Sequence, residues 1–212
     1  MKSHLTLLLA AVLCISAPGL AAADESAEAA PVPAKVAATQ DALRDLWIGH
    51  VFWVRGVVEA RLADNGKQAK AAEQQVVANA QAIAGAIEPF YGEAASDRLF
   101  ELLAGHWGAI SDYLDATIAE SRRGQDGAAD RLSANAQEIA AFLSSANPNW
   151  PEETLRGLLT AHGGHHVQQI AQLHAEQYEE EAATWAAMKD HMYVIADALT
   201  AGLAKQFPEK FE

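Results

Sequence analysis

Three histidines recur at a constant spacing in this sequence of 212 residues. His50, His106 and His162 share a period of 56 positions, and each stands four residues after a leucine on an apolar stripe with helical spacing. A stripe of this kind faces the interior of a helical protein. Because neutral imidazole binds Zn, Cu, Ni or Fe, three histidines that converge in a core would supply most of a metal coordination set.

A second polar position follows each histidine at a constant interval and also lies on an apolar stripe. Asn79, Asn135 and His191 occupy it. Where a turn lies midway between the two positions, antiparallel helices bring them to about the same height. The two asparagines are additional candidate ligands. The predicted metal ligands are the histidines at these two kinds of position: His50, His106, His162 and His191.

The last third of the chain is richer in histidine than this spacing requires. His165, His166 and His174 follow His162. His162 and His166 are four residues apart, which places two imidazoles on one face of a helix and favours cation chelation. We therefore count His165 and His166 as additional candidate ligands. The alternative is a polar helix edge that the glycine pair at 163–164 loosens.

The histidine spacing belongs to a longer internal repeat. A shift by one period superimposes apolar positions in three copies: Leu43, Leu99 and Leu155, and Ile83, Ile139 and Ile195. Self-similarity at a fixed period indicates a repeated structural unit. The repeat predicts three units, at 40–95, 96–151 and 152–207.

Each unit contains two segments with helical periodicity, and no stretch shows sustained strand alternation. Breaker residues predict turns at 64–66 in the first unit and at 123–127 in the second. In the third unit, which has no Gly or Pro there, we expect the turn near 176–179. We therefore predict an all-α fold, a six-helix bundle or short superhelix built from three tandem helical hairpins, one for each repeat unit of 56 positions.

The N-terminus has the pattern of a secretory signal peptide. Lys2 precedes an apolar run at 5–15, and the alanines at 21–23 form a small-residue cleavage site. The run is too short to span a bilayer of about 30 Å as a helix. The expected order is a signal peptide at 1–23, a disordered tether rich in Ala, Pro and acidic residues at 24–39, and a helical domain at 40–212.

These expectations place the protein in the periplasm or elsewhere outside the cytoplasm, with no transmembrane segment in the mature chain. We do not expect a lipid anchor on Cys14, because Leu13 does not fit the small residue that precedes the cysteine in lipoprotein signals. Cleavage after Ala23 removes Cys14, the only cysteine. The mature chain would then contain neither a disulfide nor a thiolate metal ligand.

The chain carries an excess of acidic residues. Its formal net charge is −13, and loss of Lys2 with the signal peptide leaves −14 on the mature protein. A field of this sign repels nucleic acid and anionic lipid headgroups, so we expect neither as a partner. It attracts cations, and it also favours solubility.

Several stretches resemble a family of small bacterial all-helical proteins of uncharacterised function. The similar segments are LWxxHxxWxR, beginning at Leu46, SANPNW, beginning at Ser145, and ADAL followed by QFPEKF, beginning at Ala196 and Gln206. The resemblance covers the helical domain and implies no activity. It implies that the family pattern includes the four predicted ligands, His50, His106, His162 and His191, and that His165, His166 and His174 are particular to this chain.

Three functions compete for this pattern. The first is an exported helical bundle that binds a transition metal or small ligand through inward-facing histidines. The second is a non-catalytic helical-repeat scaffold, or an interaction protein with a protein partner, whose His/Asn layer is structural and fixes the helix register. The third is an enzyme that uses a bound metal to activate water, with Asp190 or Asp197 nearby. No zinc-protease, dimetal-carboxylate, serine-hydrolase or phosphate-loop motif is present, so the sequence favours a binding protein over an enzyme.

Overall fold

The computed structural model describes residues 32–212. The predicted signal peptide and residues 24–31 of the predicted tether lie outside this part of the chain. The described residues form six long α-helices, a one-turn helix and a short 3-10 helix, with no strand among them. The helices are α1 (Ala34–Leu62), α2 (Gly66–Gly85), α3 (Glu88–Tyr91), α4 (Glu93–Ile118), α5 (Arg122–Ala146), α6 (Glu152–His174) and α7 (Tyr178–Gln206), and the 3-10 helix is Pro208–Lys210. The predicted all-α bundle is confirmed.

The six long helices close into a ring. Each long helix contacts the next along the chain, and α7 returns to contact α1. In addition, α6 contacts both α1 and α4 across the interior. Helices α1, α4 and α6 carry His50, His106 and His162, which we call the spaced histidines. These helices therefore lie where the three histidine side chains can meet. None of the described helices combines the length and apolarity that a membrane crossing requires.

The turns α1–α2, α4–α5 and α6–α7 have the same backbone geometry. Each is three residues long and has a left-handed residue at its centre: Asp64 (φ 53°), Glu120 (φ 50°) and Glu176 (φ 58°). In each turn the next residue donates its backbone N–H to a carbonyl five residues earlier, at 2.8–2.9 Å. This is the Schellman arrangement that closes a helix C-terminus. These central residues recur with the period of the sequence repeat, and each lies about midway between a spaced histidine and the second polar position of its unit.

The predicted turn at 123–127 is wrong, because the chain turns at 119–121 and α5 already begins at Arg122. Ser121 caps α5, with its Oγ accepting a hydrogen bond from the N–H of Gly124 at 3.2 Å. A Cβ on Gly124 would lie 2.8 Å from the Cβ of Ala116. This glycine therefore allows α5 to approach α4 closely, and does not form the turn.

The first helix also begins earlier than the sequence suggests. α1 starts at Ala34, directly after Pro33, so residues 34–39 of the predicted tether are helical. Val36 packs against the core of the bundle. Alanine and lysine are good helix formers, and the contact of Val36 with the core favours this extension of the helix toward the N-terminus.

The apolar core consists of two clusters along the bundle axis. One contains Trp47, Leu103 and Leu159, and the other contains Val54, Ile110 and Ile170. In α1, α4 and α6 the spaced histidines lie between these flanking residues. The bundle therefore has a histidine layer between two apolar layers.

Candidate metal centre

Four histidines converge in this layer. His50 is on α1, His106 is on α4, and His162 and His166 are on α6. Their exposed fractions are 5, 3, 1 and 2 %. One nitrogen from each ring lies within 4.8 Å of the corresponding nitrogens of the other three. The bundle thus holds a buried group of four histidines that could bind a metal ion.

The three spaced histidines face one another, as predicted. The ring centroids of His50 and His106 are 6.2 Å apart, those of His50 and His162 are 5.4 Å apart, and those of His106 and His162 are 5.3 Å apart and nearly parallel. Trp47 covers this group on one side, with its ring 6.1 Å from those of both His50 and His162.

The fourth member of the group is His166. It lies one helical turn after His162, and the two ring centroids are 4.5 Å apart. It also lies 5.6 Å from the ring of His50 and 6.3 Å from that of His106. The i, i+4 spacing in the sequence is the signal that indicates this pair.

Several imidazole nitrogens in the group are buried without a hydrogen-bond partner among the described residues. They are both nitrogens of His162 and the Nε2 atoms of His106 and His166. Native interiors contain few such atoms, and leaving one unpaired costs roughly 1–3 kcal/mol. A metal ion bonded to one nitrogen of each ring would compensate most of this loss, so these residues fit a metal.

Asn135 orients one of the rings. Its Oδ1 lies 3.2 Å from the Nδ1 of His106. An amide oxygen only accepts hydrogen bonds, so the proton of the neutral ring must be on Nδ1. The lone pair of His106 is then on Nε2, the nitrogen without a partner. An outer contact of this kind commonly orients a metal-bound histidine.

The second polar position contacts the backbone of the preceding helix. Asn79 donates to the carbonyl of Leu46, and Asn135 donates to that of Leu102, both at 2.9 Å. Glycine makes room for each amide, since a Cβ on Gly49 or Gly105 would lie 3.1 or 3.2 Å from the asparagine nitrogen.

His191 makes the equivalent contact in the third pair of helices. Its Nε2 lies 2.8 Å from the carbonyl oxygen of Leu158, so the structure places it beside the backbone of α6 and outside the group of four. Its ring is 5.5 Å from that of His165, and both residues are half-buried. His174 is exposed at the end of α6.

The two aspartates considered for catalysis are also outside the group. Asp197 accepts two hydrogen bonds from Arg44, each at 2.7 Å, and Asp190 is exposed. The four-histidine group itself includes no carboxylate.

Burial keeps the four rings neutral. It lowers the pKa of His50 to about 3, with a smaller contribution from neighbouring His106. It lowers the pKa of His106 to about 4, although the contact with Asn135 acts in the opposite direction. Burial and the neighbouring histidines also depress the pKa values of His162 and His166 well below the ordinary range. Neutral imidazole is the form that binds metals.

The geometry is close to that of a four-coordinate ion. A tetrahedral Zn site with bonds near 2.05 Å has ligand nitrogens about 3.3 Å apart. The four histidine nitrogens here lie within 4.8 Å of one another. Metal binding would therefore draw these nitrogens closer together by up to about 1.5 Å. Because the ligands are all nitrogen, the group does not suit Mg or Ca, which prefer oxygen, and it suits Zn, Cu, Ni or Fe.

Comparisons with protein-family models, with curated proteins and with solved structures found no match for this chain. The function must therefore be inferred from the geometry of the site itself.

Proposed function

We propose that this chain is an exported helical-bundle protein that binds one transition-metal ion through His50, His106, His162 and His166. The observation that carries the proposal is the convergence of four buried imidazoles, each with one nitrogen within 4.8 Å of the others. A tetrahedral Zn ion with four protein ligands has no open position for substrate. We therefore propose storage, transport or sensing of the metal and not catalysis.

The main alternative is a scaffold whose His/Asn layer is purely structural. The contacts of Asn79, Asn135 and His191 with backbone carbonyls support it, because they fix the position of each second helix. However, a structural layer should hydrogen-bond its own members. His162 has no hydrogen-bond partner on either nitrogen among the described residues. A bound metal ion would account for one of these nitrogens, whereas a structural layer accounts for neither.

Export is the second part of the proposal, and it rests on the signal-peptide pattern at 1–23. Processing there would leave Asp24 as the first residue. The intact mass of the protein recovered from the producing cells should correspond to a chain that begins at Asp24. Recovery of the unprocessed chain from the cytoplasm alone would contradict export and would leave the metal site untouched.

The metal site is tested by elemental analysis of the purified protein after dialysis. We expect close to one equivalent of Zn, Cu, Ni or Fe per chain, either as isolated or after incubation with each ion. A ligand that binds only the folded state stabilises it by about 2.7 kcal/mol at a hundredfold excess over Kd. The preferred ion should therefore raise the melting temperature.

Two single-histidine variants distinguish the buried site from surface chelation. His106→Ala removes a buried ligand and should abolish both the bound equivalent and the rise in melting temperature. His174→Ala removes an exposed histidine from the same histidine-rich chain and should leave both nearly unchanged. Equal losses in the two variants would show that the metal binds loosely at the surface.

A further inference from the structure

A large cleft lies on the surface between α1, α2 and α7, apart from the four histidines. Its volume is about 800 Å³, which falls in the range of sites for small organic molecules. Helix α1 lines it with Phe52, Trp53 and Arg55, and α7 lines it with Glu181 and Trp185.

Aromatic rings form much of the cleft. Phe52 is 55 % exposed although it is a large apolar residue. Its ring stands edge-on to that of Trp53, with centroids 5.0 Å apart. Trp185 lies across the cleft with the guanidinium of Arg55 5.7 Å from its ring centroid. The exposed ring of Phe52 and the half-buried rings of Trp53 and Trp185 are suited to contact cations and flat apolar groups.

The polar groups of the cleft have a net negative charge. Arg55 donates two hydrogen bonds to Glu181, both at 2.8 Å, and forms an ion pair with Glu59 at 2.7 Å. Two carboxylates therefore neutralise one guanidinium and leave one negative charge. Three of the five N–H donors of Arg55 already face carboxylates, and the two carboxylates would repel an anionic ligand at this guanidinium.

The sequence repeat does not require the residues of α1 that line the cleft. In the second repeat unit, the positions that correspond to Phe52, Trp53 and Arg55 hold small residues, namely Gly108, Ala109 and Ser111. Helix α4 forms and packs with these small residues in place. Trp53 and Trp185 each pack partly against the core, whereas Phe52 is exposed. Helix packing therefore does not explain the exposed part of the lining, and ligand binding supplies a reason for it.

We propose that this cleft binds an organic cation, with a positively charged nitrogen beside Glu59 and an apolar body against Trp53 and Trp185. The charge is complementary to both the cleft and the acidic chain. The proposal does not depend on the metal site, since none of the four clustered histidines lines the cleft.

Benzyltrimethylammonium is a suitable probe, with benzyl alcohol and benzoate as neutral and anionic counterparts. We expect the cation to shift the indole NMR signals of Trp53 and Trp185 saturably, and to leave that of Trp150, which is buried elsewhere in the core. The two counterparts should bind at least about fivefold more weakly, the factor that corresponds to one cation–π contact of about 1 kcal/mol.

Glu59→Gln tests the charge without removing the cleft, because Glu181 still holds Arg55. It should weaken binding of the cation several-fold and leave benzyl alcohol unchanged. Glu73→Gln is the matched control, since Glu73 lies on α2 and accepts a hydrogen bond from Trp107 instead. Equal binding of all three probes, an unchanged affinity in Glu59→Gln, or no shift at Trp53 and Trp185 would each overturn the proposal.

Discussion

Asn135 Oδ1 lies 3.2 Å from His106 Nδ1, while the same side chain donates through Nδ2 to the carbonyl of Leu102 at 2.9 Å. The Asn135 amide thus hydrogen-bonds to the backbone of α4 through its nitrogen and to a candidate metal ligand through its oxygen. Asn79 makes only the backbone contact, since its Oδ1 is buried without a partner among the described residues. Substitutions at these two asparagines can therefore distinguish a structural role of the His/Asn layer from a role in metal binding.

We expect Asn135→Ala to weaken metal affinity by about 10- to 100-fold, the usual effect of losing a group that orients a ligand. Asn79→Ala should leave metal affinity nearly unchanged. Each variant also loses a side chain to carbonyl hydrogen bond worth about 1 kcal/mol of unfolding free energy. Metal titration by calorimetry, together with urea unfolding of the metal-free proteins, measures both effects. Equal affinity losses in the two variants would show that Asn135 does not orient His106.

His191 should behave as a structural residue. Asn79 and Asn135 make the same type of contact from the corresponding positions, so His191→Asn should preserve both stability and metal binding. His191→Ala should lower the free energy of unfolding by about 1 kcal/mol, because the carbonyl of Leu158 loses its donor. Urea unfolding and metal titration of both variants test this. Loss of the bound equivalent in His191→Asn would instead make His191 a ligand, as the sequence suggested.

The metal-free protein should lose stability in mild acid. The folded pKa values of His50 and His106 are about 3 and 4, below the value near 6.5 in an unfolded chain. As the pH falls below 6.5, the unfolded state therefore binds protons that the folded state excludes. Each of these histidines should remove about 2 kcal/mol of unfolding free energy between pH 7 and pH 5.

Urea unfolding of chelator-treated protein at several pH values measures this slope. His50→Leu removes one of the buried histidines and should reduce the slope by about the contribution of that residue. Constant stability from pH 7 to pH 5 would mean that the rings become protonated without unfolding the protein, and hence that the layer is not closed to water.

Much of the fold could be predicted because the sequence features that define its helices lie within each helix. The apolar periodicity that defines the helices does not depend on how the helices meet. The turn between α4 and α5 was misplaced since Gly124 looks like a breaker, although its function is to let α5 approach Ala116. Close approach between helices depends on tertiary structure, and composition alone does not distinguish it from a turn.

The site was only partly predictable for a similar reason. His50, His106 and His162 share one phase on their helices, so their convergence follows from the pattern. His166 and His191 are both histidines and could each have been the fourth ligand. Which of them joins the group depends on which of their helices lies nearer the centre of the bundle. Helix α6 contacts α1 and α4, whereas α7 contacts mainly α1 and α6. His166 therefore faces the other rings of the group, whereas His191 bonds to the backbone of α6.

The most direct test of the metal site is X-ray absorption spectroscopy at the zinc edge of the zinc-loaded protein. Four imidazole ligands predict a first shell of four nitrogens at about 2.0–2.1 Å from the metal, with the outer-shell scattering of histidine rings. His166→Ala should reduce the number of histidine ligands from four to three, and His191→Asn should leave it at four. A first shell made mainly of oxygen, or a histidine count that His166→Ala does not change, would contradict the four-histidine centre.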